Sequence, residues 1–257
     1  MLFAGLLSGV LAGFLGIGGG TLLVPTLEQL GVSGVYATAT SSLAILVISS
    51  VGSVQNWRMG YIQPRPILLL GSPAAAITLF VTLVGNGIPA YLRQGGFGLL
   101  LLTTLYLVSL KRKIIRQAQF REPRMATGPA INPVLARTIT GTLAGCMAGL
   151  FGVGGGVILV PLQILLLGEQ IKTAVRTSLG VIVMTSIAAC IGNAIYNNIQ
   201  WVPGLVLGLG GLVGVQISTR FLPKLSDNTV TQLFRCLLII LAFYMFWKAW
   251  LSLAAAA

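Results

Sequence analysis

The chain has 257 residues, of which 56% are hydrophobic and 8% charged, with a mean hydropathy of +0.94. A soluble domain carries about 25% charged residues, so a water-facing globule is excluded and a polytopic membrane protein is implied. The 16 Lys and Arg outnumber 4 Asp and Glu, giving a net charge of +12 with no histidine; in a membrane protein such an excess marks cytoplasmic loops, and nucleic acid is not an expected partner.

The chain opens on an apolar stretch, residues 2–30, that begins MLFAGLLSGV without a basic leader or a clear cleavage site, so no signal peptide is expected. Further apolar segments lie at 37–57, 66–86 and 88–110, each near the roughly 20 residues a spanning helix needs. Beyond a polar, basic stretch come four more, at 138–168, 173–195, 202–221 and 229–251. The expected organisation is a first transmembrane repeat over 1–110, a basic cytoplasmic linker over 111–137 and a second transmembrane repeat over 138–257.

The repeat is visible directly. Residues 5–25 read GLLSGVLAGFLGIGGGTLLVP and residues 141–161 read GTLAGCMAGLFGVGGGVILVP. A shift of 136 superposes seven glycines and a proline, from Gly5 on Gly141 to Pro25 on Pro161. The same shift sets Thr40-Ser41-Ser42-Leu43 on Arg176-Thr177-Ser178-Leu179, and a one-residue slip then brings Ile62-Gln63 onto Ile199-Gln200. Clustered glycines should break the first segment of each half, since each costs about 1 kcal/mol in a helix. Broken helix at membrane depth is tolerated where it is buried in protein or lines a cavity.

Loop charges orient the halves. With all eight segments spanning and the linker inside, ten basic residues fall inside and five outside. With the two glycine-broken segments re-entrant, thirteen fall inside and only Arg93 and Lys248 outside, Arg235 being counted in neither. The positive-inside rule favours the second arrangement. The expected fold is therefore an all-α polytopic membrane protein of two homologous, inverted halves. Each has a re-entrant first segment and three spanning helices.

The two GxGGG clusters are the strongest chemical signal. A helix restarting after Gly18, Gly19 and Gly20, or after Gly154, Gly155 and Gly156, presents free backbone N–H groups and its positive dipole end. Absent side chains let an anion approach that backbone. Gly5, Gly9, Gly13 and Gly141, Gly145, Gly149 recur every four residues, as small residues do where helices pack closely. Thr21, just after the first cluster, is a candidate anion ligand with it; a P-loop would need Lys there, so no nucleotide site is read. Ser41, Ser42, Thr177 and Ser178 open two spanning segments, where hydroxyls either donate to an anion or cap the helix. Arg176 adds a positive charge to a cytoplasmic vestibule or marks a helix end. Asn56 and Asn193, near the far ends of those segments, are candidates to line a polar path.

No enzyme is expected. Histidine is absent, no acid among Glu28, Glu122, Glu169 and Asp227 sits mid-span, and Cys146, Cys190 and Cys236 show no paired spacing. No metal and no cofactor are read.

A duplicated GxxxGxxxGxxGxGGGxxxxP with a downstream T-S-L element resembles the TauE/SafE family of sulfite and organosulfur anion exporters, over both halves apart from the linker. The resemblance implies a multi-pass permease of the plasma or inner membrane whose substrate is a small anion such as sulfite or sulfoacetate. The family elements fall on Gly16 to Gly20, Gly152 to Gly156, Ser41-Ser42-Leu43 and Thr177-Ser178-Leu179, with Arg176 where the family usually has a small residue. The reading is a carrier working by alternating access around a central site between the glycine clusters. An anion channel and a carrier of small carboxylates are the alternatives; the partners are the anion and the bilayer, with oligomeric state unread.

Overall fold

The computed structural model describes residues 1–85, 95–96, 98–99, 102–104 and 132–254. Most of the segment expected at 88–110, the linker up to Asn132, Arg93 and the side chain of Lys248 lie outside the described residues. Every labelled element is helical: α1 (Leu2–Leu15), α2 (Gly20–Gln29), α3 (Gly34–Arg58), α4 (Pro64–Val84), α5 (Pro133–Phe151), α6 (Gly156–Leu166), α7 (Ile171–Ile195), α8 (Trp201–Phe221) and α9 (Asp227–Ala254), with a 3-10 turn at Leu222–Lys224. Five are long and apolar enough to cross a membrane: α3, α4, α5, α7, and α8 with its 3-10 extension.

The first segment of each half breaks at the glycines. Helix α1 ends where Gly16 turns left-handed at φ 66°, its N–H closing on the Ala12 carbonyl at 2.8 Å. Gly18 and Gly19 also have positive φ, both 77°, a conformation only glycine adopts freely. The chain reverses, and Ser8 on α1 donates from Oγ to the Gly19 carbonyl at 2.9 Å. The second half repeats this with Gly152, Gly154 and Gly155 at φ 63°, 76° and 75°.

Helix α5 differs from expectation at its start. It opens at Pro133, five residues before the expected segment at 138, because Asn132 caps it: Oδ1 accepts the Val134 N–H at 3.0 Å. Arg137 therefore sits in the helix rather than in the linker. With 19 residues α5 has the length of a span, although it was expected as one arm of a hairpin.

The halves exchange their first helices. Helix α1 packs on α8 and α5 packs on α4. The every-fourth glycines form both seams: a Cβ on Gly5 would meet the Leu207 carbonyl, and one on Gly13 would meet Ser218 Oγ. On the other side, Gly141 meets the Leu70 carbonyl and Gly145 that of Ala74. Backbones in such contact gain dispersion that any side chain would block. The packing reading of these six glycines holds.

The contacts also fix directions. Gly204 lies against Leu43, Gly208 against Val47 and Gly52 against Val215, so α3 and α8 run in step. Gly180 lies against Ile67 and Gly192 against Leu79 and Thr82, so α4 and α7 run in step. Lys172, at the head of α7, reaches the Pro223 carbonyl (3.2 Å) and Asp227 (3.4 Å) just beyond the foot of α8. The feet of α3 and α8 thus share one end of the molecule with the heads of α4, α5 and α7. Arg58, Arg65, Arg137, Lys172, Arg176, Arg220 and Lys224 all belong to that end.

Helix lengths correct the repeat alignment. Helices α3 and α7 are both 25 residues and α4 and α8 both 21, each pair offset by 137. The glycine clusters are offset by 136, and α6 is one residue longer than α2, 11 against 10. The slip therefore lies before α3, not after Leu43. Thr40-Ser41 corresponds to Thr177-Ser178, Arg176 corresponds to Ala39, and Asn56 to Asn193. Both halves carry the Thr-Ser pair, followed by Ser42 in the first half and Leu179 in the second.

Candidate functional site

The two glycine turns meet at the middle of the molecule. A Cβ on Gly20 would sit 2.8 Å from Val153 Cα, and one on Gly156 would sit 2.8 Å from Ile17 Cα. Gly18 and Gly154 both face Ile45 and Ile182, which occupy equivalent positions on α3 and α7. All of these residues are buried.

Ser41 Oγ donates to the Gly152 carbonyl at 3.0 Å, and Ser178 Oγ to the Gly16 carbonyl at 2.8 Å. Each hydroxyl thus holds the other half's turn. Each also lies 2.8 Å from a carbonyl of its own helix, Thr38 for Ser41 and Val175 for Ser178. A serine has one proton, so these are shared bonds and neither hydroxyl has a proton left for a ligand. Nor do they cap: α3 starts at Gly34 and α7 at Ile171, about two turns earlier. Both expectations for these serines give way to a third role, that of a latch.

Two further hydroxyls, missed in the sequence, latch the turn of their own half. Ser8 donates to the Gly19 carbonyl, and Thr185 Oγ1 to the Gly154 carbonyl at 3.2 Å. Their positions across the repeat hold Ala144 and Ile48, so the duplication gave no signal for either. Ser42 bonds inside its helix, to the Thr38 carbonyl at 3.0 Å, and Thr177 is buried. Thr40 accepts the Gln200 N–H at 3.1 Å, tying the α7–α8 connection to α3.

The amides of the turns are unmatched. Among the described residues, the N–H groups of Gly18, Gly19, Gly20 and Thr21 and of Gly154, Gly155 and Val157 have no backbone acceptor. Free N–H groups are inherent to a helix start. Here they belong to buried residues at the junction of the two turns. The hydroxyls cover the carbonyls of Gly16, Gly19, Gly152 and Gly154, and these amides remain as donors. Thr21 Oγ1, 1% exposed, has no partner among the described residues and is one more donor.

The remaining candidates lie elsewhere. Asn56 is eleven residues beyond Ile45, about 16 Å along α3. It is fully buried, yet neither amide atom has a partner among the described residues. Its backbone carbonyl accepts the Tyr61 N–H at 3.0 Å, and the Arg176 guanidinium stacks 3.6 Å above the Tyr61 ring centroid. Tyr61 therefore ties Asn56 and Arg176 into one polar group at the basic end. Asn193 stands at the opposite end, its Nδ2 donating to the Ala189 carbonyl at 2.8 Å. Glu169, between α6 and α7, is half-buried; burial pushes its carboxyl above the usual range while Arg137 pulls it down. No group of His, Cys, Asp and Glu that could hold a metal ion occurs among the described residues.

Long apolar helices exchanged between two halves, with two broken helices meeting in the interior, define a multi-pass membrane transporter. A family model described as sulfite exporter TauE/SafE matches residues 1–245, and the chain belongs to that family. It is 27% identical to the "Probable membrane transporter protein YunE" of Bacillus subtilis, covering 92% of this chain and 93% of that protein. A "Probable membrane transporter protein" of Xylella fastidiosa is 25% identical, with coverages of 98% and 96%. A third, YjnA of Bacillus subtilis, is 24% identical, with coverages of 93% and 96%. No solved structure matches.

Proposed function

We propose that this protein carries small anions, sulfite or an organosulfonate foremost, across the plasma or inner membrane by alternating access around the junction of the two glycine turns. The supporting observation is the polarity of that junction. Four hydroxyls, from Ser8, Ser41, Ser178 and Thr185, occupy the carbonyls of Gly19, Gly152, Gly16 and Gly154, while among the described residues the amides of Gly18 to Thr21 and of Gly154, Gly155 and Val157 have no backbone acceptor. An anion entering there meets donors and two helix dipoles with few competing acceptors. The serines serve this site as latches, and the ligating groups are the backbone amides and Thr21. No histidine or mid-span acid takes part, so the substrate itself carries the charge.

The halves, 1–110 and 138–257, are read as inverted repeats with the basic 111–137 linker in the cytoplasm. Support comes from helix direction: α1, α3 and α8 run one way, while α4, α5 and α7, their partners across the repeat, run the other. The basic end is then cytoplasmic. Arg176 and Asn56 act as an inner station that draws the anion toward the junction.

The test is flux into proteoliposomes for sulfite, sulfoacetate, thiosulfate and small carboxylates. Saturable sulfite flux that disappears in Gly155→Leu supports the reading. No flux of any oxyanion overturns it, flux without saturation makes the protein a channel, and flux of carboxylates alone reassigns the substrate. Single cysteines at 58 and 224 test the topology; labelling of 224 from outside with 58 protected overturns the inverted arrangement.

A further inference from the structure

A second polar feature lies apart from the junction. At the basic end, the last turns of α3 and α8 enclose a cleft of about 470 Å³. Val51, Val54 and Met59 wall it, and Arg58 and Arg220 stand at its rim. Gln55 Nε2 donates across it to the Gln216 carbonyl at 2.9 Å, holding the two helices at a set spacing. Neither arginine has an ion-pair partner among the described residues. The cleft opens on the outer face of the bundle, where Val54 is 45% and Trp57 71% exposed.

The repeat provides an internal control. Across the 137-residue offset Arg58 corresponds to Ile195 and Arg220 to Leu83. The fold builds the same helix pair twice, α3 with α8 and α7 with α4, and needs no charge in the second copy. Retention of the loop on one side of the membrane asks for basic residues near the end, but not for two of them on the rim of one apolar cleft.

We propose that this cleft seats one anionic phospholipid, its phosphate between Arg58 and Arg220 and an acyl chain along Val51 and Val54. Guanidinium groups match phosphate geometry, and basic pockets between membrane helices take anionic headgroups. A free inorganic anion would satisfy the arginines but leave the apolar wall bare. A zwitterionic lipid would set its own cation beside two others. The site is independent of what the protein transports.

The test is native mass spectrometry of the full chain released from nanodiscs of equal phosphatidylglycerol and phosphatidylcholine. The expected result is one retained phosphatidylglycerol. Each of Arg58→Gln and Arg220→Gln lowers retention about fivefold, and the pair about twenty-fivefold, at the usual strength of one basic residue toward an anionic surface. Arg65→Gln, at the same end but off the cleft, leaves it unchanged. Both rim residues are exposed, so the variants keep the fold, checked by their melting temperature. Equal retention of the two lipids by the wild type overturns the proposal. So does undiminished phosphatidylglycerol in the double variant, or an equal loss in Arg65→Gln. Sodium sulfate that displaces the lipid better than chloride of the same ionic strength also overturns it, making the cleft an inorganic anion site.

Discussion

The centre of the molecule and its basic end are built from the same duplicated helices and follow opposite rules. At the centre the turns and the cross-half latches correspond, Gly16 with Gly152, Ser41 with Ser178 and Ile45 with Ile182, although Ser8 and Thr185 have no counterpart. At the end they part, with Arg176 opposite Ala39, Arg58 opposite Ile195 and Arg220 opposite Leu83. The reason is geometric. Each half's turn is held by a serine of the other half, so a change on one side leaves a carbonyl bare on the other. Among the described residues no such reciprocal bond crosses the ends, so a change in one copy there does not strip a partner from the other. On the proposed reading, a symmetric centre would serve an anion from either side, and an asymmetric end would give the two faces different properties.

The largest expected effect strikes the centre. Gly19→Leu and Gly155→Leu each force a side chain into a left-handed residue, against Ser8 Oγ in one half and the Ala144 carbonyl in the other. Both should abolish flux and most of the folded yield. Gly60→Leu, at φ 75° but with open space around it, pays only the backbone strain of about 1–2 kcal/mol. Monodisperse yield after purification separates them; equal yields would mean that the turns do not pack as described. Next come Ser41→Ala and Ser178→Ala, each leaving a buried glycine carbonyl without its donor at about 1–3 kcal/mol. For a chain of this size that is a fall of several degrees in melting temperature, together with slower flux as an uncovered acceptor faces the anion. The two variants should fall alike. A large drop in one and none in the other would break the equivalence on which the comparison rests.

How much of this the sequence discloses follows the same division. The glycine break, the every-fourth-residue seams and the duplication are legible because backbone conformation and close packing demand particular residues at particular spacings. The serine latches were visible as residues but not as latches. A hydroxyl eight positions into a helix looks like a cap or a ligand until the other half's carbonyl is seen beside it. Ser8 and Thr185 were missed because their repeat positions hold Ala144 and Ile48, so duplication could not flag them. The one-residue slip was misplaced because small residues crowd 38–43 and either register matches some of them; only the equal lengths of α3 and α7 decide it.

At the basic end the expected effects are smaller and one-sided. Arg176→Gln removes a charge-assisted donor stacked on Tyr61, and bonds to charged groups are worth about 1.5–3 kcal/mol. Its KM for the anion should rise about tenfold when substrate enters from the basic end, with kcat little changed. A fall in kcat at constant KM would instead place Arg176 in the transport step.

The smallest effect concerns Glu169, in the stretch where the second half is one residue longer. Burial raises its carboxyl pKa and Arg137 only partly opposes this, so the folded protein holds that proton to a higher pH than the unfolded chain does. The sign follows from linkage: a raised pKa adds stability below the ordinary carboxylate range and loses it as pH climbs through the raised value. Glu169→Gln keeps a neutral side chain at every pH and escapes that loss. The variant and the wild type should therefore melt together at acidic pH, and the variant should hold an advantage of about a degree near neutrality. The advantage is small because the half-exposed group is screened by solvent. A gap that stays constant from acid to neutral pH would show that the carboxyl titrates as it does in water. The asymmetry at this end would then lie in its fixed charges alone.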